Sequence, residues 1–233
     1  MRLYESNLNQ FEKDILNNSI ADKLQLAFKN YYGRKPSVSE YNSWNNSLRI
    51  LKDVFVMSKL DGNIIAIECE LPYTQKRIDV LVFGKNRANI DNVLIIELKQ
   101  WSEDNLELSD NEGNVIVDYG IKKIEQPHPS IQLEGYYQHM RDFMSIFDDD
   151  NVNISGLSYC HNYNGTLLSD IKFNTYLTKF PIYGKNDNQS LIEFLNDNLS
   201  FNDGGNLFDS FKKSIFRPSK KLLEHTRDMI NTQ

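Results

Sequence analysis

Between residues 63 and 100 three short apolar runs follow one another: NIIAIECEL (63–71), RIDVLVF (77–83) and VLIIELKQ (93–100). Each is rich in β-branched residues and bounded by Gly, Pro or Asn, the pattern of consecutive strands. The joining segments 72–76 and 84–92 are shorter than the dozen or so residues a parallel crossover needs, so the spacing predicts an antiparallel meander. This meander limits the chain to folds in which helices cover a sheet.

The flanking segments have a different period. From Ser37 to about Leu60, Val38, Tyr41, Trp44, Leu48, Leu51 and Phe55 recur every three or four residues, which predicts a helix with one buried stripe. Ser37 and Glu40 fit a capping box at its start. A hairpin is expected around Glu112-Gly113. Helical spacing returns from Pro129 to Phe147 through Leu133, Tyr136, Met140 and Phe143, residues 153–160 and 173–179 read as further strands, and 189–199 reads as a helix. Helix, three strands, helix, strand is an α/β layout with a mixed central sheet flanked by helices.

Composition narrows the class. With 233 residues, 40% hydrophobic and 25% charged, the chain suits one soluble domain that needs neither disulfide nor zinc to fold. The start MRLYESNLNQ lacks a signal-peptide pattern and no uncharged stretch approaches the roughly 18 residues of a membrane span, so the expectation is a cytoplasmic protein with no membrane partner. Cys69 and Cys160 allow one bridge at most, which that compartment disfavours. Cys160-His161 with the distant His225 has no zinc-ligand spacing. A net charge of -6 argues against a surface coated for nucleic acid but leaves room for a local basic groove.

Charges interrupt the strands at telling places. Val93 to Ile96 is apolar on both faces, as in a central strand; Glu97 and Lys99 then follow with period two on the face of Val93 and Ile95. Strict alternation puts Asp79 on the face of Leu81 and Phe83, with Ile78, Val80 and Val82 on the other. A carboxylate in such a run is costly unless paired or bound to a cation. Two readings stay open on spacing alone: ion pairs among Asp79, Arg77, Glu97 and Lys99, or an oxygen-ligand site for magnesium or manganese. Glu68 and Glu70 share a face of the first strand. Gln132 and Tyr136, four apart on a helix, point the same way. Glu40 borders the buried stripe of the first long helix, either as a site acid or as a capping residue. Trp44 and Trp101 read as packing residues, and His128, between Pro127 and Pro129, reads as a helix cap or a phosphate contact.

As a set, Asp79, Glu97-x-Lys99 and Gln132-x-x-x-Tyr136, in this order of helices and strands, resemble the PD-(D/E)XK nuclease superfamily, and the Gln-x-x-x-Tyr element resembles its RecB-type branch. The stretches SEYNSWNNSL, IECELP with KRIDVLVFG, IIELKQW and HPSIQLEGYYQHM look like the N-terminal nuclease region of bacterial and phage nuclease-helicase fusions related to Schlafen-type helicases. The resemblance covers about residues 30–225. One departure is Ile78, where the family motif has proline before the acid.

The resemblance implies a restriction-endonuclease-like core and a metal-dependent nuclease acting on DNA rather than RNA, in phage defence, phage biology or DNA repair. It implies that Asp79, Glu97 and the Leu98 carbonyl hold Mg²⁺ or Mn²⁺, and that Lys99 orients the attacking water or neutralises phosphate charge, acting as a base only if its pKa is lowered. Gln132, Tyr136, Glu40 and Glu68 complete the catalytic set, while Arg77, Lys85, Arg87 and His128 are candidate nucleic-acid contacts. Residues 1–216 would form the nuclease domain, N-terminal helices plus an α/β core, and 217–233 a basic helical tail resembling the linker to a helicase. No Walker sequence occurs, so the helicase would act in cis in a longer chain or in trans. The alternative is a catalytically silent nucleic-acid-binding or docking module that keeps the fold.

Overall fold

The computed structural model describes residues 1–148, 151–201 and 203–217. The proposed tail at 217–233 therefore lies outside the described residues from 218 onward.

The expected meander forms β2 (Ile64–Glu70), β3 (Arg77–Lys85) and β4 (Asp91–Lys99), each antiparallel to the next. Strand β1 (Arg2–Asn7) pairs antiparallel with β2 at one edge. Beyond β4 lie β8 (Val152–Cys160) and β9 (Ile182–Gly184), both parallel, giving a six-stranded mixed sheet in the order β1-β2-β3-β4-β8-β9. β4 is central and its residues Asn92 to Glu97 are all buried, as its two-faced apolar run predicts.

Helices cover both faces. On one, α1 (Leu8–Leu16), α2 (Ile20–Tyr32), α3 (Val38–Met57) and α6 (Asn188–Asn198) bury Phe11, Phe28, Leu51, Phe55 and Leu195 against Ile65, Ile67, Val80, Val82, Leu94 and Ile96. On the other, α4 (Pro129–Phe143) and α7 (Gly205–Lys213) bury Leu133, Met140, Phe208 and Phe211 against Leu81, Phe83, Val93 and Ile95. Ser37 caps α3 by accepting from the Glu40 amide at 3.1 Å. The buried stripe of α3 begins at Trp44. Val38, expected in it, is the first residue of the helix and is 78% exposed.

Between β4 and α4 the chain builds a second, three-stranded antiparallel sheet from β5 (Leu106–Leu108), β6 (Asn114–Asp118) and β7 (Lys123–Pro127). The Glu112-Gly113 turn lies between the first two, with Gly113 at φ +87°. Leu106, Val115 and Val117 close this insert over Trp101, Tyr163, Leu168 and Phe173.

One expected strand is a helix. Residues 173–179 fold mainly into α5 (Asn174–Lys179), entered through an Asp170 side chain that accepts from the Lys172 amide. The alternation of Asn, Thr, Tyr, Leu, Thr and Lys suits either state, and Pro181 ends the helix and leaves the strand to start at Ile182. Among the described residues no helix is long and apolar enough to cross a membrane. Both cysteines are buried and free.

Candidate active site

The alternation of β2 and β3 slips at two facing positions. Ile67 and Val80 belong to the core layer under α3, whereas Cys69 and Ile78 join the opposite layer together with Ala66 and Leu81. The pairing register is the same on both sides of the slip, Ile67 with Val80 and Cys69 with Ile78, so Glu68 and Asp79 stand opposite one another at the break. Glu68 takes a φ of +54°, a left-handed conformation that costs a non-glycine residue about 1 kcal/mol or more. Asp79 is therefore placed not with Leu81 and Phe83, as strict alternation predicts, but in a cleft of 580 Å³ under α3, with Glu40, Trp44, Glu68, Arg77, Glu97 and Lys99 also in its wall.

Two hydrogen-bonded groups frame Asp79. On the α4 side, Glu97 Oε1 accepts from Lys99 Nζ at 2.7 Å and from Gln132 Nε2 at 2.6 Å, and Lys99 Nζ also donates to Gln132 Oε1 at 3.1 Å. Gln132 Nε2 lies 2.6 Å from the Tyr136 hydroxyl, which donates to the Arg77 carbonyl at 3.1 Å. On the α3 side, Trp44 Nε1 donates to Glu68 Oε1 at 2.6 Å, and Arg77 bridges Glu68, at 3.2 Å, and Glu40. Arg77 also stacks over Phe28 and Tyr32. Asp79 Oδ2 accepts the Leu98 amide at 2.8 Å.

The electrostatics are strained around the acids. Burial, then the charges of Glu97 and Glu68, hold the Asp79 carboxyl well above the usual carboxylate range. Burial raises Glu68 to about 6 against the opposing pull of Arg77 and Trp44. Burial works against the Lys99 ammonium, but Glu97 and Asp79 outweigh it and its pKa is raised, the opposite of what a base role requires. Glu97 is 2% exposed, and its Oε2 is buried with no hydrogen-bond partner.

That orphaned oxygen, in the same cleft as the Asp79 carboxyl, is the observation that fits a cation. Among the described residues no three His, Cys, Asp or Glu side chains converge as a metal cage. The available donors are Asp79, Glu97 and the Leu98 carbonyl, an all-oxygen set of the kind that suits Mg²⁺ or Mn²⁺ retaining several waters.

No known family, curated protein or solved structure matches this chain.

The structure brings together Asp79, Glu97, Lys99, Gln132, Tyr136, Glu40, Glu68 and Arg77. It separates the other proposed contacts. Lys85, at the far end of β3, pairs with Asp91 at 3.5 Å, and Arg87, beyond it, pairs with Asp197 at 2.7 Å. Arg77 faces carboxylates rather than an open phosphate path. His128 is 0% exposed, stacks on Phe173 at 3.8 Å and donates through Nε2 to the Leu168 carbonyl at 3.0 Å. It thus neither reaches a phosphate nor caps α4 with its side chain, because Leu168 and Phe173 pack against it. Trp44 does more than pack: its indole N–H holds Glu68, a role that only the folded pairing of α3 with β2 reveals.

Two expected outcomes follow from these placements. Burial depresses His128 to about 4 from an ordinary 6.5, so the unfolded chain binds the extra proton first and stability falls as pH drops from about 6.5 toward 4, by about 3 kcal/mol in all. Chemical denaturation across that window should show the loss, and His128→Phe should flatten it. Tyr136→Phe removes the bond to the Arg77 carbonyl and frees Gln132, so stability should fall by about 1 kcal/mol and any cleavage about tenfold, measured by melting and by single-turnover rates.

Proposed function

We propose that this chain is a metal-dependent phosphodiesterase of the PD-(D/E)XK type that cuts nucleic acid, DNA rather than RNA, beside a helicase in cis or in trans. The observation that carries the reading is the meeting of Asp79, from the break in β3, with Glu97 and Lys99 from the end of β4, where Glu97 keeps one buried oxygen without a partner. An exclusively structural ion-pair role explains Lys99 with Glu97. It leaves unexplained a desolvated Asp79 beside two other acids and a strained backbone at Glu68.

Asp79, Glu97 and the Leu98 carbonyl would hold Mg²⁺ or Mn²⁺, which when bound activates water and draws charge from a phosphate. Lys99, kept as an ammonium by Glu97, would neutralise charge developing on the phosphate. Gln132 and Tyr136 would fix Glu97 and Lys99 in register. Glu40 and Glu68, locked by Arg77, would shape the α3 wall. The order α3, β2, β3, β4, α4, β8, with the last strand parallel to β4, supports the same reading.

The test is to incubate purified protein with labelled circular and linear, single- and double-stranded DNA and RNA, in Mg²⁺, Mn²⁺ or EDTA, alone and with a helicase supplied. Metal-dependent cutting that Lys99→Ala removes is expected. No cutting of any form, or equal cutting by the variant, would sink the assignment.

A further inference from the structure

The catalytic cleft does not end at Lys99. A second groove of 670 Å³ adjoins it, sharing Ser39, Ser43, Leu98 and Lys99, and runs between the start of α3 and the insert sheet β5–β7. Apart from Lys99 its lining has no charged group. It presents amides from Asn42, Gln100, Asn105 and Gln126, and the ring of Tyr119, which is 52% exposed at the tip of the β6–β7 hairpin. Gln100 is tied to Ser43 and Ser47, whereas the side-chain amides of Asn42 and Gln126 hold no partner among the described residues. The platform is firm, because β5 and β6 close their own core over Trp101, Tyr163 and Phe173.

A duplex engaged by its backbone needs a series of cations along the path, and these two clefts do not supply one. Their cations, Arg77 and Lys99, are both paired, and four carboxylates line the first cleft. Neutral amides and an exposed aromatic ring instead suit the edges and faces of unstacked bases. We propose that this groove takes the bases of a single strand of nucleic acid whose phosphate sits at Lys99, with Tyr119 stacking on one base. The inference rests on the phosphodiesterase reading and narrows its substrate to an unpaired strand.

The test measures binding without cutting. The full chain in EDTA is titrated into fluorescent oligo-dT, oligo-U and a duplex of the same length, followed by anisotropy. Single strands are expected to bind at least about tenfold tighter than the duplex. Their affinity should fall less than about tenfold between 50 and 200 mM salt, since few phosphates are neutralised. Tyr119→Ala should weaken single-strand binding about tenfold, and Tyr119→Phe should retain it. The exposed position of Tyr119 lets melting confirm that both variants fold. Equal or tighter duplex binding, a salt loss near 1,000-fold, or indifference to Tyr119→Ala would overturn the proposal; so would a Tyr119→Phe defect as large as that of alanine. Tyr119-dependent single-strand binding without metal-dependent cutting leaves the groove standing and removes the nuclease. Cutting that prefers duplex does the reverse.

Discussion

Asp79→Asn should abolish cleavage, by about 1,000-fold or more, and at the same time raise the melting temperature of the metal-free protein. The side chain keeps an oxygen to accept the Leu98 amide, so the local bond at 2.8 Å survives. What disappears is a buried acid whose ionisation burial, Glu97 and Glu68 all oppose. Each kcal/mol of relief corresponds to roughly 2–4 °C in a chain of this size. Lys99→Ala should lose a similar factor in rate but become less stable, because Glu97 then keeps only Gln132 as a partner while buried. Opposite signs in stability with the same loss of activity separate a site built for chemistry from an ion-pair cluster built for folding. In the latter, both substitutions destabilise. Parallel melting and single-turnover cleavage of the two variants make the comparison.

The largest effect on stability should come from Arg77→Ala. Its guanidinium, 25% exposed, is the partner shared by Glu40 and by Glu68, which is 10% exposed. Removing it leaves two carboxylates without their cation and should cost about 3 kcal/mol, roughly 10 °C in melting temperature. The deficit should depend on pH. Glu68 is held near 6 in the folded protein and near 4.5 when unfolded, so its contribution is fully present below the unfolded value and is lost as pH rises through the folded one. Without Arg77 that loss grows, and the variant should therefore lag the parent more at pH 8 than at pH 5. Adding Glu68→Gln should recover part of the stability at the higher pH. Urea denaturation at the two pH values checks both statements, and an Arg77→Ala protein as stable as the parent would remove the α3 wall from the account.

How far the sequence carried this site depends on which signals were local. The strands β2 to β4 and the helices α3 and α4 were legible because their apolar periods are long and bounded by turn residues. The acids in β3 and β4 stood out because charge in an apolar run is costly. Gln132 and Tyr136 could be paired from helical spacing alone. The face of Asp79 could not be read, because the slip at Glu68 and Asp79 arises from two strands turning out together, and strict alternation pointed to the wrong layer. Strand β1 carries Arg2 and Glu5 in six residues and becomes a strand by pairing with β2, a long-range contact with no local signature. Arg77 read as a phosphate contact because its partners are 9 and 37 residues away in sequence. His128 read as a helix cap or a phosphate contact because nothing in Pro-His-Pro announces that Leu168 and Phe173, about 40 residues on, will pack against it.

A cation site formed by Asp79 and Glu97 should bind manganese in the absence of nucleic acid. Mn²⁺ titrated into the metal-free full chain, with the free ion followed by its paramagnetic resonance signal, should show saturable binding in the parent. In Asp79→Asn, whose fold is checked by melting, that binding should be about tenfold weaker or more. Manganese that stays free in the presence of the parent, or that binds both proteins alike, would contradict the account.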